Sequence, residues 1–274
     1  MNNFGVQLLL DRFLELAPPP APRETATGSV EPTNAAFSGF VFKIQANMNP
    51  KHRDRVAFIR IVSGEFNRDM TVIHPRTGKP VRLSNSQRLF AQERETVDAA
   101  WAGDVVGIVG NQDFQIGDTL SEDPTIRFDE IPRFAPECFA YIHSGSTATG
   151  KRFREGLEQL LREGVAQSFQ LKDSITRTHL LGAVGPLQFE VLQYRLDGEY
   201  GAPCRIENAP WSVARWVRAK DGDLPDLVMP TGTALALDEA GATVVLLPSQ
   251  WGLSYFESKN PDIEISPLPF RNVV

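Results

Sequence analysis

Residues 40–66, FVFKIQANMNPKHRDRVAFIRIVSGEF, constrain the fold more than any other stretch. Their first part alternates. Phe40, Phe42, Ile44 and Ala46 fall on one side, and Val41, Lys43, Gln45 and Asn47 on the other. A period of two predicts a strand with one buried face. Residues 55–63 alternate again, with Ala57, Ile59 and Ile61 opposite Val56, Phe58, Arg60 and Val62, so both faces are largely apolar. A polar loop over 47–54 joins the two strands. Pro50 breaks regular structure there, and Lys51, His52, Arg53 and Arg55 supply its charge. The pair predicts a hairpin with a cationic tip. On a rigid scaffold such a tip is a candidate contact for an anionic partner such as RNA phosphate. The bland alternative is a solvated loop whose charges do nothing specific.

Short strands with turn signals continue after the hairpin, at 71–74, 80–83, 87–91 and 105–110, with Gly-Asp turns at 103–104 and 117–118. Strands of this kind with no helical period predict a closed β-barrel. From Asp129 the pattern changes, with Pro132 and Pro136 at the boundary. Strand 138–143 precedes a helix over 151–163, which carries Phe153, Leu157, Leu160 and Leu161 on one face and ends at Gly164. Strands at 165–169 and 179–183, a helix over 186–200 and strands at 205–208 and 212–218 complete the series. Either Leu187 with Val191, or Phe189 with Leu192 and Leu196, turns inward on the second helix. The β-α-β-β-α-β order is the split-βαβ, ferredoxin-like plan. Beyond Lys220 the pattern predicts a strand at 243–247, a short helix at 250–258 and a final DIEISPLPF running along the surface.

At the other end, Val6, Leu9, Leu10, Phe13 and Leu14 form the apolar stripe of a helix over 4–17, with Asn2 or Asn3 as its cap. Pro18–Pro22 (PPPAP) stops that helix and makes a stiff spacer. The expected organisation is therefore multidomain β and α+β. Residues 1–36 form the helix and linker, 37–128 the β-barrel, and 129–274 an α/β domain whose tail, from about residue 219, diverges.

The net charge of −6 excludes a freestanding, strongly basic nucleic-acid binder, so DNA is not an expected partner and any RNA contact is a local patch. Cys138 and Cys204 show no CxxC or Cys/His spacing, which predicts reduced thiols, no metal site and a cytoplasmic location. No apolar run approaches membrane-spanning length, and the first residues lack the charged, apolar and small-residue pattern of a signal peptide, so none is expected. Residues 145–152, GSTATGKR, have the G-x4-G-K spacing of a P-loop at Gly145, Gly150 and Lys151, between a predicted strand and helix. Arg152 stands where a magnesium-binding hydroxyl belongs, and no N-K-x-D sequence follows. A Gly/Ser/Thr loop opening a helix explains these residues more simply. His52, His74, His143 and His179 are scattered, and no nucleophile–base pair or carboxylate pair predicts a catalytic site. Trp211 and Trp216 invite a base-stacking reading, with an edge strand packed on the 186–200 helix as the plainer one.

Phe37 to Gly64, FSGFVFKIQANMNPKHRDRVAFIRIVSG, closely resembles the second domain of the bacterial class-2 peptide-chain release factors, translational GTPases also called release factor three. Supporting matches are AGDVVG at 102–107, IGDT at 116–119, FAPE at 134–137, LGAVGPLQF at 181–189 and ARWV at 214–217. The resemblance covers about residues 4–218 and fades beyond them. It implies an elongation-factor-like barrel followed by a third α/β domain, with the opening helix similar to the last helix of a GTPase domain. GTP or GDP and magnesium are then bound by residues outside this chain, which itself hydrolyses nothing. The implied partners are the ribosome, through small-subunit RNA and proteins, and indirectly the decoding release factors, whose departure the family promotes. Under that resemblance Lys51, His52, Arg53 and Arg55 become the best ribosome contacts. A stand-alone ribosome- or partner-binding module, or an enzyme using 145–151 as a divergent P-loop, are the alternatives. Asp69 departs from the family, standing where these barrels usually carry glycine; Asn67 or Asp69 is expected to take the left-handed conformation.

Overall fold

A computed structural model describes residues 4–25, 27–46, 55–90, 93–110, 114–129, 131, 134–172, 179–221 and 224–270. The chain divides into two compact units, Met1–Ile131 and Pro132–Val274.

In the first unit, helix α1 (Val6–Leu16) leads through the prolines to a ribbon of β1 (Arg23–Thr25) and β2 (Gly28–Val30). Asn2 and Asn3 lie outside the described residues, and Gly5 precedes the helix without a side-chain cap. No residue of α1 is buried, so its whole apolar stripe faces solvent. The hairpin follows as β3 (Ser38–Ala46) and β4 (Arg55–Ser63). Then come β5 (Glu65–Asn67), β6 (Thr71–His74), β7 (Lys79–Arg82), β8 (Ser86–Phe90), β9 (Glu93–Thr96), β10 (Ala99–Trp101), β11 (Val105–Val109) and β12 (Thr119–Ser121). Eight of these strands make one sheet in the order β7-β6-β12-β3-β4-β11-β8-β9, and β5 pairs with β10. The sheet curls as a half-barrel around a core that includes Phe37, Val41, Ile44, Ile59, Ile61, Phe66, Phe114 and Leu120. Among the described residues its edge strands β7 and β9 do not pair with each other, and Pro80 in β7 has no N–H to donate.

The clean alternation of the first strand is interrupted. Val41 pairs with Ile59 but Lys43 with Phe58, so Phe42 is the extra residue of a β-bulge. Val41 and Ile44 enter the core, while Phe42 turns outward beside the Phe58 ring, 6.3 Å away. Phe40 packs instead with Val62, Ile126 and Phe128 in a separate cluster.

Two Gly-Asp turns clamp the hairpin. Gly117 N–H donates to Val41 O at 2.7 Å and Val41 N–H to Asp118 O at 2.8 Å. Gly103 N–H donates to Ile61 O at 2.9 Å and Ile61 N–H to Asp104 O at 3.0 Å. Gly117 holds φ at 92°, a conformation that only glycine adopts cheaply. Asp69, at φ 65°, takes the left-handed role expected of it. The Asp118 carboxylate also anchors a buried polar knot. Arg76 donates to both of its oxygens, at 2.7 and 2.9 Å; Gln115 N–H donates to Oδ2 at 2.7 Å; and His74 Nε2 lies 2.9 Å from Oδ2.

The second unit contains β13 (Cys138–Ser144), a 3-10 turn (Thr147–Thr149), α2 (Gly150–Arg162), β14 (Gln167–Leu171), β15 (His179–Ala183), α3 (Leu187–Tyr200) and β16 (Cys204–Asn208). It continues with β17 (Val213–Ala219), β18 (Ala234–Leu237), β19 (Thr243–Leu247), α4 (Gln250–Lys259) and β20 (Ile263–Ser266). One antiparallel sheet runs β16-β13-β15-β14-β18-β19-β17-β20. Its first four strands are the split-βαβ arrangement; the other four extend it beyond β14. Ile263–Ser266 is thus a paired edge strand rather than a surface extension, because Ile263 and Ile265 complete the apolar face that β17 leaves open.

Helix α2 ends as expected at Gly164, with Val165 N–H donating to Leu160 O. Helix α3 turns Phe189, Leu192 and Leu196 inward against α2 and leaves Leu187 and Val191 in solvent. Helix α4 covers Val213, Val217, Val245 and Leu247. The opposite sheet face packs on itself. The Phe169 and Trp216 rings lie 6.3 Å apart although three strand spacings, about 14 Å in a flat sheet, separate β14 from β17. The sheet is therefore strongly concave there. Trp211 and Trp216 belong to this interior and not to the 186–200 helix. Trp216 Nε1–H donates to Asp238.

Burial alone pushes the Asp118 carboxyl up, but the His74 imidazole beside it and hydrogen bonds from Arg76 and the Gln115 amide overcome that and hold it below the usual carboxylate range. A carboxyl with a depressed folded value contributes stability that is fully present above its unfolded value, near 4, and is lost as pH falls through the folded one. Asp118→Asn is expected to lower unfolding stability by about 2 kcal/mol at neutral pH, because it removes the charge from a buried carboxylate that accepts hydrogen bonds from Arg76 and the Gln115 amide. The gap to the unsubstituted chain, read by urea denaturation, should shrink progressively below about pH 4.

Candidate functional site

The cationic loop springs from the ends of β3 and β4. Lys51, His52 and Arg53 lie outside the described residues. Arg55 is the first residue of β4, and the structure corrects its assignment. It is 6% exposed, and its Nη2 donates to Phe114 O at 2.8 Å. The hairpin register points its side chain under the sheet, so it ties β4 to the loop before β12 instead of meeting solvent. The exposed chemistry at the base of the loop is supplied by the bulge. Lys43 Nζ sits 5.7 Å from the Phe58 ring centroid, with Phe42 alongside. Sequence periodicity placed Phe42 inward, and no signal in the residues betrays a one-residue bulge.

Residues 145–151 do not build a phosphate cradle. Gly145 is pressed against Pro203, whose carbonyl oxygen would lie 2.7 Å from an added Cβ and accepts Gly145 N–H at 2.9 Å. Ser146 Oγ accepts from Ala148 N–H, and Thr149 N–H donates to Ser146 O. The amides a P-loop would aim at phosphate are thus spent on a 3-10 turn. Lys151 points outward near Glu155, at 3.8 Å, with its side chain 84% exposed. With Arg152 in place of a hydroxyl ligand, these residues do not fit GTP and magnesium.

The remaining reactive groups are structural. His74 is buried against Asp118 with the Phe114 ring edge-on. Ile142, not His143, lies opposite His179, so the two histidines occupy opposite sheet faces. Burial, then Glu137, raises the Cys138 thiol. Burial, then Asp197, pushes Cys204 up to about 11. Neither is a ready thiolate. Asp238 accepts the N–H groups of Ala240 and Ala242 and staples the turn from β18 to β19.

Among the described residues of the second unit, two helix faces are exposed and apolar or aromatic. The outward pole of α3 carries Leu187, Val191 and Tyr194, one and two turns apart, all exposed. Helix α4 turns Trp251 and Tyr255 to solvent.

Comparison with known proteins decides the family. Residues 128–257 match the model described as class II release factor RF3, C-terminal domain, and residues 36–123 match elongation factor G domain 2. The peptide chain release factor 3 of Acaryochloris marina is 45% identical over 98% of this chain and 50% of its own length. The chain belongs to the peptide chain release factor 3 family. The release factor 3 of Synechocystis is 47% identical over 98% of the chain and 49% of its own length, and that of Gloeobacter violaceus 46% over 97% and 51%. The chain thus spans about half the length of the curated relatives it matches. A solved structure from Thermus thermophilus shares the fold, with a TM-score of 0.59 and 23% identity over 85% of this chain and 34% of that one. The release factor 3 likeness does not fade near residue 219. It runs through the tail, which β17–β20 build into the same sheet as the split-βαβ strands.

Substitution should separate the buried cation from the exposed one. Arg55→Gln is expected to cost about 2 kcal/mol of unfolding stability, since it strands a buried carbonyl. Lys151→Ala should change it by less than about 0.5 kcal/mol. Urea denaturation of both variants checks this.

Proposed function

We propose that this chain serves in translation termination as the ribosome-docking part of a release factor 3, in the cytoplasm, with GTP and magnesium handled by residues outside it. The observation that carries the reading is 45–47% identity to curated release factors 3 along nearly the whole chain. The physical features agree with a docking role. The body is acidic, at −6, which suppresses indiscriminate RNA binding, while Lys51, His52 and Arg53 concentrate positive charge on one hairpin loop. Lys43 lies beside Phe58, and Phe58 beside the outward Phe42, on the strands of the same hairpin. The apolar stripe of α1 and the outward pole of α3 are surfaces of the kind that partners cover. Small-subunit RNA is the partner of the cationic loop in this reading, and the decoding release factors are affected indirectly.

Co-sedimentation with ribosomes over graded salt tests it. The chain is expected to pellet with ribosomes and to dissociate as salt rises. Lys51→Ala combined with Arg53→Ala should flatten the salt slope by about two, one for each lost phosphate contact. Salt-independent or absent pelleting would overturn the docking role. The chain should also leave GTP unhydrolysed, before and after Lys151→Ala.

A further inference from the structure

Helix α4 turns Gly252, Leu253 and Phe256 to the core. Its opposite face carries Trp251, Ser254, Tyr255 and Ser258, at the i, i+3, i+4, i+7 spacing of one helical stripe. Trp251 is 75% exposed and Tyr255 37%. Their rings are already stacked, with centroids 5.9 Å apart and planes 25° from parallel. Lys259, one turn further on, sets its Nζ 5.7 Å from the Tyr255 centroid. A second cation stands at the same helix end, where Lys220 Nζ donates to Pro261 O at 2.9 Å. The serine hydroxyls donate to backbone carbonyls of their own helix, Ser254 to Gln250 O and Ser258 to Tyr255 O, so their donors are not directed outward. No carboxylate lies on the stripe. Glu257 projects about 120° around the axis from Trp251.

Burying an exposed tryptophan is among the most favourable steps open to a folding chain, yet the core beside α4 closes on Phe256 and leaves Trp251 outside. An aromatic pair stacked in advance, with cations at one end and no acid between, complements a flat base attached to a phosphate chain. A basic protein segment would instead want carboxylates here.

We propose that the outward face of α4 is a stacking platform for an unpaired nucleotide of single-stranded RNA. The base extends the Tyr255–Trp251 stack on the open face of Trp251. Lys259, about 12 Å further along the helix axis, and Lys220 beside it take phosphates further along the strand. Only the source of such RNA, a ribosome, rests on the docking reading above.

The test is fluorescence anisotropy of the 274-residue chain with a short fluorescein-labelled oligoadenylate over graded salt. Trp251→Ala is expected to weaken binding about ten-fold or more, as loss of one stacked base does. Trp251→Phe should recover most of that loss. Lys259→Ala should reduce the salt slope by about one. Because Trp251 is exposed, the thermal midpoint of Trp251→Ala should match that of the unsubstituted chain. Equal binding by Trp251→Ala and the unsubstituted chain would overturn the platform. So would an absence of oligoadenylate binding together with weaker ribosome pelleting by Trp251→Ala, an outcome that assigns the face to a protein. Stacking-dependent binding without any ribosome pelleting supports the platform and defeats only the docking reading.

Discussion

The first unit depends on how the β3–β4 hairpin is held. Each of its strands gives one core residue, Val41 or Ile61, to a two-way main-chain bridge with a Gly-Asp turn. Each bond contributes about 1 kcal/mol net, but the larger effect is geometric. With both strands fixed, Val41, Ile44, Ile59 and Ile61 must face the same interior. The turns also bring their carboxylates where other elements need an acceptor. Asp104 takes the Trp101 amide, and Asp118 gathers His74, Arg76 and the Gln115 amide. The buried Asp118 carboxylate is thereby surrounded by donors, which offsets the penalty of burying its charge.

The second unit solves a different problem. A sheet of eight strands has two apolar faces and, among the described residues, three α-helices to cover them. The helices cover one face, and curvature brings the other onto itself, so Phe139, Phe169 and Trp216 become a single core. The helices are then half-used. Each presents an outward pole that folding does not need, and on α3 and α4 those poles are apolar or aromatic. The stripe of α1 is likewise exposed along its whole length.

Much of this was legible in the residues. Alternation located the hairpin, Gly-Asp pairs located the clamps, and the change of period after Asp129 located the split-βαβ order. The LGAVGPLQF and QANMNPKHRDR runs pointed to the family. What failed did so for local reasons. Arg55 looked like part of a cationic tip because charge alone does not show which way a strand-end residue points. The tail looked irregular because its strands, Ala234–Leu237 and Ile263–Ser266, are too short for a period to emerge and make sense only beside β19 and β17.

By itself, then, the amino-acid order determined the β3–β4 hairpin, the split-βαβ succession after Asp129 and the family, since these rest on periodicity, turn residues and contiguous runs. Tertiary structure alone decided which side of the bulge Phe42 takes, that Arg55 is interior, that Thr147–Thr149 close into a 3-10 turn before α2, and that Trp211 and Trp216 are core while Trp251 is surface. Those outcomes depend on strand register and sheet curvature, which arise from contacts between residues far apart in the chain. A one-residue slip in register reverses a side chain's surroundings without changing a letter of the sequence.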